Sequence, residues 1–250
     1  MRRSNLLAPA LFASFGLPGG AFAHDIWIVT KTGAGQTTAL VRYGDPSKLE
    51  TPEKGKFVSV EMISPAGRIS LKRPLVAVEG TPGLQIKTFA PAPGAILSAV
   101  YDNGYYAVDP ADKIESNTSK LLMPRAAESW WVPKFGKTLL GAGSYRQQAG
   151  TLLELIPLDD PFAGGGTLRV RVVYKGQPVP NIKVTYADGI APIADDKRPT
   201  MTTGKDGVAR FDIGRKGPYL LTVDYLTAAT HPDLSDKDEL YATLAFDTSR

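Results

Sequence analysis

The sequence predicts an all-β protein made of two β-sandwich-like units. Three observations predict it. Short runs alternate apolar and polar residues with period two, turn residues punctuate them about every ten positions, and convincing amphipathic helices are missing. Glycine (25) and proline (20) in 250 residues supply the turns, yet together stay below the roughly 25–30% that marks a disordered chain.

The chain opens with an export leader. Arg2 and Arg3 are basic, Leu6 to Leu17 is an apolar stretch, and Ala21-Phe22-Ala23 offers the small residues of a cleavage site. The apolar stretch falls short of the about 20 residues that a bilayer span needs, so residues 1–23 read as a signal peptide. The processed protein is then expected to be periplasmic and to start at His24. The leader removes two of the 29 basic residues and none of the 25 acidic ones, so half of the formal +4 charge leaves with it. No dense Lys/Arg run with interleaved aromatics remains, which speaks against nucleic acid as a partner. With no cysteine, thiolate metal sites and thiol catalysis are excluded.

An N-terminal β-rich domain is expected over residues 24–158. Phe57 to Ile63 alternates and meets a turn at Ser64-Pro65-Ala66-Gly67; Gln85 to Phe89 and Ala95 to Tyr101 follow the same pattern around Ala90-Pro91-Ala92-Pro93-Gly94. Between Lys120 and Leu140 the pattern fades, and the helical piece of the chain, if any, is expected there. A C-terminal domain is expected over residues 165–250, after Leu152 to Pro157 and the loop from Asp159 to Gly166. In it, Leu168, Val170 and Val172 alternate with Arg169 and Arg171 along Thr167 to Tyr174. Ile182 to Tyr186, Val208 to Phe211, Tyr219 to Tyr225 and Leu240 to Phe246 continue the series, with Asp206-Gly207 suiting a positive-φ turn before Val208. This half reads as an immunoglobulin-like or transthyretin-like sandwich, and Leu168 to Val223 resembles the carboxypeptidase regulatory-like modules in strand order and turn placement.

Two histidines are few enough for each position to matter. An N-terminal His24 would carry an α-amine and an imidazole on one residue, a chelating pair suited to nickel, copper or cobalt. His231 lies in the acidic segment Ala229-Thr230-His231-Pro232-Asp233-Leu234, ahead of Asp236, Asp238 and Glu239. Asp25, Asp233 and Asp236 are candidate oxygen ligands. Trp130 and Trp131 read first as packing residues and second as a sugar or aromatic platform. No Gly-x-Ser-x-Gly elbow accompanies any serine, and Gly164-Gly165-Gly166 lacks the helix and lysine of a phosphate cradle, so neither hydrolysis nor nucleotide binding is expected.

The opening His24-Asp25-Ile26-Trp27, the segment Leu152-Leu153-Glu154-Leu155-Ile156-Pro157-Leu158-Asp159-Asp160-Pro161 and the closing Tyr241-Ala242-Thr243-Leu244-Ala245-Phe246 resemble the DUF4198 proteins. That resemblance implies an exported, non-enzymatic metal-binding accessory protein of a nickel- or cobalt-type uptake system. Its implied partners are a metal-uptake transporter or outer-membrane receptor components, and its implied cofactor or cargo is a divalent transition metal. The transmembrane segments of some family-associated nickel transporters are absent, so the expected role is that of a soluble partner of a permease. Two other functions fit the residues. One is a copper-binding protein or oxidative copper enzyme of histidine-brace type, using His24 and His231 with Tyr241 as an axial group. The other is a metal-free sandwich module that binds a protein or a glycan.

Overall fold

The computed structural model describes residues 24–33, 35–187, 198–214 and 216–249. The expected leader and cleavage site, at residues 1–23, lie outside the described residues. In chain order the first strands are β1 (Asp25–Gly33), β2 (Gln36–Asp45), β3 (Lys48–Glu50), β4 (Phe57–Ser64), β5 (Gly67–Ser70) and β6 (Leu75–Val78). Then come β7 (Thr81–Phe89), β8 (Ile96–Val108), β9 (Ile114–Ser116), β10 (Glu128–Leu139), β11 (Leu153–Pro157) and β12 (Thr167–Tyr174). The last are β13 (Gln177–Pro178), β14 (Lys183–Ala187), β15 (Thr200–Thr202), β16 (Val208–Asp212), β17 (Pro218–Ala228) and β18 (Lys237–Asp247). Two short 3-10 turns, at Lys54–Lys56 and Ser144–Arg146, complete the described regular structure. The protein is all-β, as its alternation predicts.

The strands form three sheets. A five-stranded sheet runs β1-β2-β7-β6 with β3 on β2, and a four-stranded one runs β11-β12-β13 with β16 on β12. Between them lies a nine-stranded sheet in the order β15-β14-β17-β18-β10-β8-β4-β5, with β9 on β8. Period-two alternation gives this central sheet two apolar faces. Val60, Met62, Leu97, Ala99 and Tyr101 point to one face and pack with Ile26, Ile28, Val41 and Ile86 of the five-stranded sheet. Ile63, Ile96, Phe135 and Leu139 point to the other and join Leu153, Leu155, Leu168, Val170, Val172, Leu240, Ala242 and Leu244 above the four-stranded sheet.

The segment between Lys120 and Leu140 corrects the expectation of a helix. Residues 128–139 form β10, a central strand that pairs antiparallel with β8 and parallel with β18. Trp130, Trp131, Val132, Phe135 and Thr138 are residues that prefer a pleated surface, and Pro133 could not sit inside a helix. Proline is also awkward in a central strand, and the ladder to β8 shifts register between Trp131 and Pro133. The turn at Asp206-Gly207 forms as expected, with Gly207 at φ 73°, and the Gly204 N–H donates to the Val208 carbonyl. The strands it joins are not hairpin partners, however. β15 pairs with β14 in the central sheet and β16 with β12 in the four-stranded one.

The central sheet also joins strands from either side of residues 159–164, the stretch expected to separate the two domains. β18 lies parallel to β10 from Trp130↔Lys237 to Thr138↔Ala245, and β11 pairs with β12. A single hydrogen-bonded sheet therefore carries strands from both halves of the sequence.

Candidate functional site

β1 is the edge strand that positions His24. Its ladder with β2 runs from Asp25↔Gly44 to Gly33↔Gln36. On its other side the Ile26 and Ile28 carbonyls accept hydrogen bonds from the Thr243 and Thr138 hydroxyls, at 2.6 and 2.8 Å. Those side chains cap an edge that would otherwise be open. β1 comes this close because residue 136 is glycine: a Cβ there would sit 3.1 Å from the Ile26 carbonyl oxygen. Trp27 anchors the strand against Leu220 and Ala245.

Alternation then sends neighbouring residues to opposite sides. The His24 ring lies edge-on to Tyr43 with centroids 5.3 Å apart, and its Nε2 is 3.8 Å from Glu50 Oε1. Its side chain keeps 30% of its exposure, so the ring remains partly open to solvent. Behind it the Tyr43 hydroxyl donates to Asn103 Oδ1, and Asn103 Nδ2 donates to the Tyr106 hydroxyl, so Tyr43 is held in place.

Asp25 turns inward. It is buried near Lys134, which is fully enclosed and stands 4.0 Å over the Tyr241 ring. The Tyr241 hydroxyl donates to Glu239 Oε1 at 2.8 Å. Burial pulls the Lys134 ammonium down to about 8, while the carboxylates of Asp25 and Glu239 oppose that fall. Burial pushes Tyr241 far above the usual phenol range, and burial also raises Glu239. This cluster balances one cation with two carboxylates beneath β1. Sequence reasoning missed Lys134 and Glu50, because nothing local to either marks it, and it read Glu239 only as part of an acidic segment. Tyr241 is placed with Lys134 and Glu239 rather than on an exposed surface.

His231 and Asp233 are exposed in the loop between β17 and β18. The His231 carbonyl accepts from the Leu234 and Ser235 amides, which closes a turn. Asp236 next to it is tied to Lys120 and Ser129, each at 2.7 Å. The contacts of the His24 ring are with Glu50 and Tyr43, so the two histidines have separate surroundings. Among the described residues, no group of three or more His, Asp and Glu side chains is arranged to hold a metal ion. The α-amine of His24 would be a free donor only in a chain that starts at that residue.

A family model described as a domain of unknown function, DUF4198, matches residues 21–227. The chain belongs to the DUF4198 family. A comparison with curated proteins found no match. Of the three segments on which the resemblance rests, the opening and Leu152 to Pro161 lie within the matched residues, and both have structural work in the fold. In the opening of this DUF4198 chain, Asp25, Ile26 and Trp27 anchor β1 and leave His24 at its end.

In the second segment, Glu154 Oε1 accepts from Lys137 at 2.8 Å and from the Ala149 amide at 2.7 Å, while Oε2 accepts from the Gly150 amide. Asp160 accepts from the amides of Gly143 and Phe162. Asp159 grips Arg169 through its backbone amide and through a two-pronged contact with the guanidinium, at 2.6 and 2.9 Å. That grip holds the Asp159 carboxyl down at about 2, below its ordinary 3.8. A depressed carboxyl favours the folded state above its ordinary value and stops doing so as pH falls through about 2. Asp159→Asn should therefore lower the urea midpoint slightly at pH 7 and make no difference near pH 2. The pair is largely exposed, so the effect at neutral pH is small. A deficit of equal size at both pH values would show that charge is not its cause.

No helix among the described residues is long and apolar enough to cross a membrane.

Proposed function

We propose that this DUF4198 protein is exported, loses residues 1–23 and binds a divalent transition metal at the end of β1, as an accessory component of a nickel- or cobalt-type uptake system. The donors are the His24 amine and imidazole Nδ1, and the Glu50 carboxylate near Nε2 orients the ring from its far side. The observation that carries this reading is the half-exposed His24 ring at the start of a clamped strand, with Glu50 3.8 Å from Nε2, on the side of the ring away from the amine-and-Nδ1 chelate. Amine and imidazole nitrogens are donors that suit nickel, cobalt or copper. Asp25 serves the site indirectly, as the partner of Lys134 that fixes the start of β1. His231, Asp233 and Asp236 are outside it.

Calorimetry with nickel and copper on protein of native start tests the proposal. His24→Ala and a one-residue alanine extension before His24 should each weaken binding at least about tenfold, the first by deleting the imidazole and the second by acylating the amine. Glu50→Gln should cost a few-fold, and His231→Ala nothing. Protons compete for imidazole and amine, so affinity should fall as pH drops from about 8 to about 5.5. Unchanged binding after either N-terminal alteration would sink the chelate. A loss with His231→Ala equal to that with His24→Ala would instead favour the copper brace.

A further inference from the structure

The central sheet carries an open groove on the face opposite the five-stranded sheet, and neither His24 nor its partners Glu50 and Tyr43 line it. Its volume is about 390 Å³, within the range of small-ligand sites. Three strands make the floor, and their registers Glu61↔Ser98, Ser59↔Val100↔Phe135 and Asp102↔Pro133 stack these residues in successive rows on one face. Trp131 closes one end. At the other, Arg68 donates to Glu61 at 3.1 Å and to the Ala149 carbonyl at 2.9 Å. Residues 149–152 form a wall.

What distinguishes the groove is unfilled hydrogen-bonding capacity at its floor. Ser98 is only 2% exposed, lines the groove, and its hydroxyl makes no hydrogen bond to a described residue; the same is true of the less buried Ser59 hydroxyl. Asp102 uses one oxygen, Oδ1, for both the Trp131 indole N–H at 2.9 Å and the Gly104 amide at 3.0 Å, which leaves Oδ2 to the groove. The indole has no other polar atom, so the rest of the Trp131 surface in the groove is apolar carbon. These polar groups open onto the groove with capacity to spare, and they alternate along its floor with Val100, Phe135, Pro133 and Trp131.

We propose that this groove binds a neutral oligosaccharide. Sugar hydroxyls both donate and accept, which matches a free carboxylate oxygen beside serine hydroxyls, while the C–H faces of the rings match the indole and the apolar floor. An apolar peptide would leave Ser98 and Asp102 without partners. Charge favours a neutral ligand: Arg68 is already compensated by Glu61, and Asp102 repels phosphate and acidic sugars. Ser98 to Asp102 spans about 13 Å along β8, longer than a single ring.

Tryptophan fluorescence reports on this site, because Trp27 and Trp130 are buried and Trp131 is half-exposed. Titration of the processed chain with cellotetraose, chitotetraose and mannotetraose should give a saturable change with at least one of them. Trp131→Phe should abolish the spectral change. Calorimetry should show Trp131→Ala weakening the same sugar more than about tenfold and Asp102→Asn about tenfold, with the thermal midpoint of Asp102→Asn close to wild type. Failure of all three sugars to bind overturns the proposal, as does undiminished binding in Asp102→Asn. Both readouts are independent of metal and of the state of His24, so they leave the chelate reading untouched.

Discussion

Glu154→Gln should destabilise the protein by about 3–5 kcal/mol, the usual cost of leaving a buried charge without its partner. Lys137 and Glu154 are 4% and 3% exposed and form a pair 2.8 Å long. Glutamine keeps the shape and an acceptor for one of the two amides that Glu154 now serves, but it cannot neutralise Lys137. For a protein of this size the loss should appear as a fall in Tm of roughly 6–20 °C. The sign of its pH dependence identifies the cause. Burial already lowers the Lys137 ammonium, and removing the carboxylate lowers it further. A depressed lysine costs the fold most at neutral pH, where it would be charged in the unfolded chain, and the cost fades as pH rises toward about 10. Urea midpoints at pH 7 and 9.5 should therefore converge on wild type as the pH is raised. Lys137→Met added to Glu154→Gln should recover most of the loss at pH 7. A deficit independent of pH would instead point to lost hydrogen bonds at Ala149 and Gly150.

The fragment from Gly165 to Arg250 should fail to unfold cooperatively. It keeps β12 to β18 but loses β10 and β11, the strands that pair with β18 and β12. It also loses Ile63, Ile96, Phe135, Leu139, Leu153 and Leu155, which fill the core shared with Leu168, Val170, Leu240 and Leu244. A long apolar edge at β18 would be left open to pairing with other copies, so the fragment should bind hydrophobic dyes and aggregate. Chemical denaturation followed by circular dichroism and sedimentation checks this. A soluble fragment with one sharp transition would mean that the C-terminal half forms its own core despite the shared sheet.

Much of the strand content is legible in the order of the amino acids. Residues 167–174 alternate and form β12 as read, and the runs from Phe57, Gln85, Tyr219 and Leu240 all lie in strands. β1 is not legible in this way, because Asp25 to Ile28 is buried without a break, which removes the alternation that marks a half-buried strand. β10 is hidden for a related reason. From Val132 to Leu139 it is buried on both faces between two other sheets, and a run without polar relief has no readable period.

At the candidate site the sequence points to His24 from its position after the expected leader, but not to its neighbour. Glu50 reaches it only because β3 folds back along β2, with Tyr43↔Glu50 in register. Asp25 is legible as a carboxylate, and its burial near Lys134 is not. Asp159 and Asp160 are legible as a turn, and their roles as acceptors for Arg169 and Gly143 are not.

The sequence by itself determined the secondary-structure class, the turns and the family, because period, turn chemistry and short motifs are properties of neighbouring residues. Tertiary structure alone decided which strands pair, that one sheet joins both halves, and which charges meet. Lys137 with Glu154, Lys134 near Asp25, and His24 beside Glu50 depend on register and on which face each residue takes. A shift of one residue reverses every side chain of a strand, so these partnerships are set by the packing of whole sheets.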